Sequence, residues 1–355
     1  MLTLLIFIII LGILIFIHEF GHFVVARWCG VKVEEFAFGF PPTIWKKEYK
    51  GTVYKINALP LGGYVKMLGE DKKLKDPHAF TSQPARKRLA IVVAGVVMNL
   101  LLAYFILVIG YLIGMSPVTL DPATLGGKQT KQVVVVGVED GSPAAAAGLR
   151  SGDMINGFAS ADELVQYINA NRGSTVALTI NRGQSSLQVD VGLRTDQKEA
   201  GLGVELGGQG VRVRLGLGGA LLAAAREIVG FAVLIAKFIW SIISTLFIHG
   251  KLAKEAQDVA GPVGIYTFTG QAVKLGFVYI LQWIAILSLN FGLLNILPFP
   301  ALDGGRAVFI VLEGIVRRKL VRQEVESVIH MIGFVLLIAL MIAITFREII
   351  WMMNR

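Results

Sequence analysis

Four apolar runs set the plan of the chain. The first occupies Met1 to about Val25, and its opening seventeen residues carry no charge. The second runs from Leu89 to Met115 and is interrupted only by Asn99; the third covers Gly276 to Leu297 and the fourth Val328 to Ile344. Each has the roughly 17–25 residues that a helix needs to cross a bilayer. Nothing basic precedes the first run, and Ala26-Arg27-Trp28 before Cys29 does not read as a lipoprotein box, so the run reads as a retained membrane helix and not a secretory signal. A fifth run, Leu221 to Ile248, is long enough to span but contains Arg226, Glu227 and Lys237. A lysine near mid-bilayer costs roughly 2.5–3.5 kcal/mol. Elsewhere the period shortens to two. Val133–Val136 and Ala177–Ile180 predict β-strands, and Gly51 to Gly69 shows β-type alternation. Between the first two of these, Ser142 can cap a short helix opening at Pro143 that Gly148 can end, and Ala161 to Asn171 predicts a second helix.

Composition agrees with this plan. Of the 355 residues 54% are hydrophobic and only 17% charged, with a mean hydropathy of +0.65. An average soluble chain carries about 25% charged residues, so an ordinary soluble enzyme and a disordered protein are both excluded. The single cysteine, Cys29, excludes a disulfide framework and a multi-cysteine zinc site, and reads as an inert thiol. The net charge of +9 is not gathered into a hydrophilic domain, so no nucleic-acid partner is expected. The positive charge sets orientation and meets anionic lipid. Between the first two runs thirteen basic residues face six acidic ones, and Arg306, Arg317, Arg318, Lys319 and Arg322 make the loop between the last two basic as well. The stretch from Ser116 to Gly219 is nearly balanced. The positive-inside rule places both basic loops in the cytoplasm and the balanced stretch outside.

Chemistry is concentrated at the end of the first run. His18-Glu19-Phe20-Gly21-His22 is an H-E-x-x-H sequence. Residues four apart share a helix face, so both imidazoles can aim at one ion while Glu19 takes a proton from its water. Ionisable groups behind seventeen uncharged residues mark function. A catalytic zinc takes three protein ligands. His78, His249 and His330 qualify by type, but lie in a polar loop or at the ends of apolar runs and read as interfacial or structural. Asp303 is the better candidate. It follows Asn295-Ile296-Leu297-Pro298-Phe299-Pro300-Ala301-Leu302 and precedes Gly304-Gly305, a broken backbone tolerated at membrane depth only where it lines a polar cavity or is buried in protein.

Together these segments resemble the site-2 protease family of intramembrane zinc metalloproteases, in particular its bacterial branch with a PDZ domain, the regulator-of-sigma-E type. The resemblance rests on His18 to His22, Tyr54 to Glu70, Asn99, Gly261-Pro262-Val263-Gly264-Ile265 and Asn290 to Gly305. Gly141 to Ile155 is similar to the PDZ pattern S-P-A-x-x-A-G-L-x-x-G-D-x-I. Two departures are visible: Gly39-Phe40-Pro41-Pro42 stands where the family usually has Gly-Phe-Gly-Pro, and there is room for one PDZ domain where well-known relatives carry two.

The resemblance implies zinc held by His18, His22 and Asp303, with Glu19 as catalytic base. It implies a polytopic α-helical membrane protein with four transmembrane helices, a re-entrant β-hairpin and one inserted extracytoplasmic PDZ domain of mixed α/β structure. Residues 1–115 would hold the first two spans and the hairpin, 116–215 the PDZ domain, 216–275 a membrane-surface amphipathic segment, and 276–355 the last two spans with Asp303. A further crossing at Leu221–Ile248 would put Asp303 on the wrong face, so that segment is expected to lie along the outer surface or to dip in and return. Gly62, Gly63 and Tyr64 in the hairpin would hold an unwound substrate as an added strand. Asn290 and Asn295 would donate to substrate backbone or oxyanion, or else bond helix to helix.

The implied site is a bacterial inner membrane with the active site toward the cytoplasm. The implied partner, besides the lipid bilayer, is a membrane protein with a single transmembrane helix, such as an anti-sigma factor or a signal-peptide remnant. Alternatives from other classes are a non-catalytic PDZ adaptor, a membrane-anchored zinc peptidase acting on soluble peptides, and a zinc-dependent transporter.

Overall fold

The computed structural model describes residues 2–70, 74–158, 160–182, 185–196, 200–249, 259–318, 321 and 323–353. Lys319 and Arg322 lie outside the described residues. Two compact units are present. One comprises Met1–Ala103, Ile235–Tyr266 and Ile284–Arg355, the other Tyr104–Leu234 and Thr267–Trp283. Among the described residues five helices are long and apolar enough to cross a membrane by length and composition: α1 (Leu2–Trp28), α2 (Ala85–Ile113), α5 (Leu217–His249), α7 (Phe277–Asn295) and α9 (Gln323–Met353).

In the first unit α1 and α2 approach closely because Gly21 faces the α2 backbone; a Cβ there would lie 2.5 Å from the Ala94 carbonyl oxygen. Beside them β1 (Val33–Tyr49) and β2 (Thr52–Met67) form an antiparallel hairpin. The pair folds back on itself. Residues 33–38 pair with 63–67 on one side and with 53–56 on the other, and 43–49 pair with 52–57. The turn is tight, with Lys50 and Gly51 both at positive φ. Only β2 lies within the range that alternation predicted. The missed partner, β1, carries Pro41-Pro42 in its middle and is exposed from Phe40 to Tyr49, so it shows no inward-outward period.

Two further helices of this chain were not expected. The first, α6 (Pro262–Leu275), begins at Gly261-Pro262-Val263-Gly264. The Glu348 carboxylate accepts hydrogen bonds from the Gly261 and Gly264 N–H groups at 2.7 and 3.2 Å, satisfying donors that every helix start leaves free. A Cβ at either glycine would lie within 2.8 Å of that carboxylate. The same bonds let α9 run on past Arg347 and Glu348, beyond the Ile344 at which hydropathy ends it. The second is α8 (Asp303–Val316), which buries Ala307 and Ile310 against Ile91 and Phe36 and is tied to α2 by an Arg88–Glu313 ion pair at 2.6 Å.

The second unit contains an antiparallel sheet of order β6-β5-β4-β3-β7. Its strands are β3 (Lys128–Val138), β4 (Met154–Asn156), β5 (Thr175–Arg182), β6 (Ser185–Gly192) and β7 (Val204–Arg214). Helices α3 (Pro143–Ala146) and α4 (Ala161–Ala170) accompany it, and Val133, Val135, Ile155, Leu164, Ile168 and Ile180 share one core. The expected strands and helices are present. Ser142 Oγ accepts from the Ala145 N–H, and Gly148 sits at φ 77° after the helix.

The segment expected to lie flat or to dip and return is a single continuous helix, α5, so the re-entrant form is corrected. Its Glu227, 1% exposed, accepts from the Tyr111 hydroxyl at 2.7 Å, the Val118 and Thr119 N–H groups at 2.8 and 2.9 Å, and the Thr119 hydroxyl. One turn on, Gly230 leaves room for Thr119; a Cβ there would be 2.3 Å from its hydroxyl oxygen. The carboxylate that reads as a polar interruption is thus an internal anchor. Charged hydrogen bonds of this kind contribute roughly 1.5–3 kcal/mol each. Glu227→Leu is therefore expected to speed amide exchange at Val118 and Thr119 by roughly 10- to 100-fold, read by hydrogen–deuterium exchange mass spectrometry. Unchanged protection would show that the carboxylate does not hold the loop.

Candidate metal centre

Helical spacing puts His18 and His22 on one face of α1, both buried. Their Nε2 atoms are 3.3 Å apart, and Asp303 Oδ2 lies 3.0 Å from the first and 3.3 Å from the second. Among the described residues this is the cluster of histidine, cysteine and carboxylate ligands able to hold a metal ion.

The chain reaches this point by doubling back after α7. A Cβ on Gly304 would lie 2.1 Å from the Ile296 carbonyl oxygen, and one on Gly305 would lie 2.3 Å from that of Phe299. Only glycine permits such contact, so Gly304-Gly305 does not stop a helix but lets α8 begin against the preceding turn. The turn is held from α9. His330 Nδ1 accepts from the Ala301 N–H at 2.9 Å, with Ala301 at φ 78°, and Gly333, one turn on, gives Pro300 its space. His330 is therefore a support of the turn. His78 is exposed, with Nδ1 3.0 Å from the Gly30 carbonyl. The side chain of His249 lies outside the described residues.

The residues present fit a metal ion. His22 Nδ1 donates to the Ile91 carbonyl at 2.8 Å, which leaves the Nε2 lone pair facing Asp303. Asp303 Oδ2 is buried without a hydrogen-bond partner among the described residues. Imidazole nitrogens and a carboxylate oxygen converging at these distances repel one another unless a cation or proton sits among them. Two nitrogens and one oxygen are the donor set of a catalytic zinc with its fourth position open. Room for the imidazoles comes from Gly95 of α2, where a Cβ would meet His22 Nε2 at 2.4 Å and His18 Cε1 at 2.7 Å.

Glu19 follows His18 on α1, and Gly63 of β2 lies against it; a Cβ at Gly63 would be 3.0 Å from Glu19 Cγ. Gly62 faces the Phe40 ring. Tyr64 turns to a different partner, donating its hydroxyl to Glu35 at 2.9 Å beside a Lys55–Glu35 ion pair at 2.6 Å. The Lys55 ammonium and the Tyr64 hydroxyl hold the Glu35 carboxyl below the usual carboxylate range. Asn290 and Asn295 each give an N–H to the carbonyl four residues back, Ile286 and Phe291, at 3.1 and 2.9 Å.

Three contributors had no signal in the sequence. Phe291 packs edge-on to His18 with ring centroids 5.1 Å apart. Gly95 provides the space just described. Arg306, one turn after Asp303, pairs with Glu70, whose other oxygen accepts from the Met67 N–H, and so links the end of the hairpin to the helix bearing Asp303.

The chain is 34% identical over 352 residues to a Clostridium acetobutylicum protein whose name describes a zinc metalloprotease, covering 97% of this chain and 96% of that one. It is 30% identical over 375 residues to a Brucella suis protein with a name of the same kind, covering 98% and 95%. It is also 30% identical over 437 residues to the zinc metalloprotease RasP of Shouchella clausii, covering 98% of each. A family model described as Peptidase family M50 matches residues 6–340, so the chain belongs to Peptidase family M50, the site-2 protease family.

Proposed function

We propose that this multi-pass membrane protein is a zinc metalloprotease that hydrolyses peptide bonds within transmembrane segments, with His18, His22 and Asp303 holding the metal and Glu19 acting as general base. The observation that carries the reading is the convergence of the two imidazoles and the Asp303 carboxylate, Oδ2 within 3.3 Å of both Nε2 atoms, beside Glu19 on an apolar helix. Zinc, when bound, supplies the Lewis acidity that makes water a nucleophile near neutral pH. Glu19 accepts the proton from that water and passes it to the leaving amine. The hairpin backbone at Gly63 lies beside Glu19, which suits it and the neighbouring Gly62 to hold an unwound substrate strand; a helix offers no free backbone groups for such pairing. Asn290 and Asn295 each keep one side-chain N–H beyond the bond to their own helix, available to a substrate carbonyl.

The finer reading has α1, α2, α7 and α9 as the crossings, with α5 at the outer surface. The site then faces the cytoplasmic side of a bacterial inner membrane, and residues 116–215 form an extracytoplasmic PDZ domain. A groove of about 190 Å³ lined by Leu164, Ile168, Arg172, Gly201, Leu202 and Val204 supports peptide capture by that domain. The substrate class is a membrane protein with one transmembrane helix, such as an anti-sigma factor or a signal-peptide remnant.

The purified full chain, reconstituted with a single-span substrate, is expected to cleave it, to lose cleavage on chelation and to regain it with zinc. A soluble peptide of the same sequence should be cut far more slowly. Preference for the soluble peptide would overturn the intramembrane reading, and absence of cleavage of either would overturn the protease reading.

A further inference from the structure

Asn99 sits near the middle of α2 and is fully buried. Burying an amide away from water costs several kcal/mol unless both halves are bonded. Yet among the described residues its one side-chain contact is to His18 Nδ1, at 3.3 Å, and its other amide atom has no partner. Its backbone carbonyl is engaged separately, accepting from Ser288 Oγ at 2.8 Å. The side chain does join α2 to α1, but it does so through one amide atom and at a ring nitrogen. The amide spends its single good contact on an imidazole.

The ring's chemistry decides which end of the amide faces it. To offer Nε2 to a metal, a neutral imidazole must carry its proton on Nδ1. Nδ1 is then a donor, so the Asn99 amide, placed with Nδ2 3.3 Å from that ring nitrogen and Oδ1 unpartnered, must be turned end for end, an exchange of two nearly identical positions that gives the oxygen its partner. His22 has the same arrangement through a different acceptor, since its Nδ1 donates to the Ile91 carbonyl. Ile91, Gly95 and Asn99 recur every four residues along one face of α2. They give one imidazole its acceptor, both imidazoles their space, and the other imidazole its acceptor, in that order.

We infer that Asn99 is a positioning residue: its side-chain oxygen accepts the Nδ1 proton of His18, fixes the tautomer and aims Nε2 at the metal. The inference rests on the metal reading above. Outer hydrogen-bond partners of this kind alter metal affinity by roughly 10- to 100-fold.

The test is zinc affinity of the full-length, detergent-solubilised protein, measured by competition with a chromophoric chelator, for wild type, Asn99→Leu, Asn99→Asp and His18→Ala. Asn99→Leu fills similar space but removes the acceptor, so zinc should bind roughly 10- to 100-fold more weakly. Asn99→Asp keeps an acceptor at the same place and should stay within a few-fold of wild type. A packing role predicts the reverse order, because leucine suits a buried apolar site and aspartate does not. Leu at wild-type affinity, or Asp weaker than Leu, would overturn the inference while leaving the metal reading intact. Zinc binding absent from wild type, or undiminished in His18→Ala, would overturn the metal reading and the inference with it.

Discussion

Glu19→Gln is expected to lower cleavage of a membrane-embedded substrate by roughly 10²–10⁴-fold, the usual contribution of a positioned general base, while zinc content stays at the wild-type level. The two readouts separate because Glu19 lies outside the cluster proposed to hold the metal. That cluster is His18, His22 and Asp303. Glutamine has the shape of glutamate and keeps the packing of its stem against Gly63. What it lacks is the oxygen lone pair basic enough to take a proton from water. Cleavage is followed by substrate and product bands over time, and metal content by elemental analysis of the same sample. Activity near wild type would remove Glu19 from the base role. Loss of zinc would make it a ligand.

Much of this arrangement was legible because membrane crossing imposes a length and a composition that few other constraints imitate. The positions of α1, α2, α7 and α9 followed from apolar run length, and the alignment of His18 with His22 followed from helical periodicity. What escaped notice depended on contacts between distant segments. Pro41-Pro42 and an exposed second half concealed β1, whose pairing is set by β2 and not by its own alternation. Gly304-Gly305 reads as a terminator in one dimension; in three it is the space that lets α8 start beneath Ile296 and Phe299. Glu227 reads as a charge in an apolar run, and is an acceptor for two side chains and two amides. Phe291 and Gly95 are ordinary membrane-helix residues until α1, α2 and α7 meet around the imidazoles.

Gly95 gives the sharpest demand on that meeting. In Gly95→Ala the new methyl would fall 2.4 Å from His22 Nε2, far inside van der Waals contact, so one side must yield. The helices cannot part easily, because Gly21 already seats α1 against the Ala94 carbonyl. His22 is also held by its bond to the Ile91 carbonyl, so the added methyl pushes the ring off the Nδ1 donor axis and Nε2 away from Asp303. Displacements of about 1 Å at a reacting centre cost on the order of 100-fold, and a similar fall is expected in both zinc affinity and cleavage. Helix propensity works in the opposite direction, since alanine favours a helix interior by about 1 kcal/mol over glycine, so the variant should stay folded and helical by circular dichroism. Gly314→Ala in α8 is the matched control: its Cβ would meet only the Ala85 methyl at 3.5 Å, an ordinary contact, and neither zinc affinity nor cleavage should change. Wild-type zinc affinity in Gly95→Ala would mean that His18 and His22 do not bind metal from the face of α1 that meets Gly95.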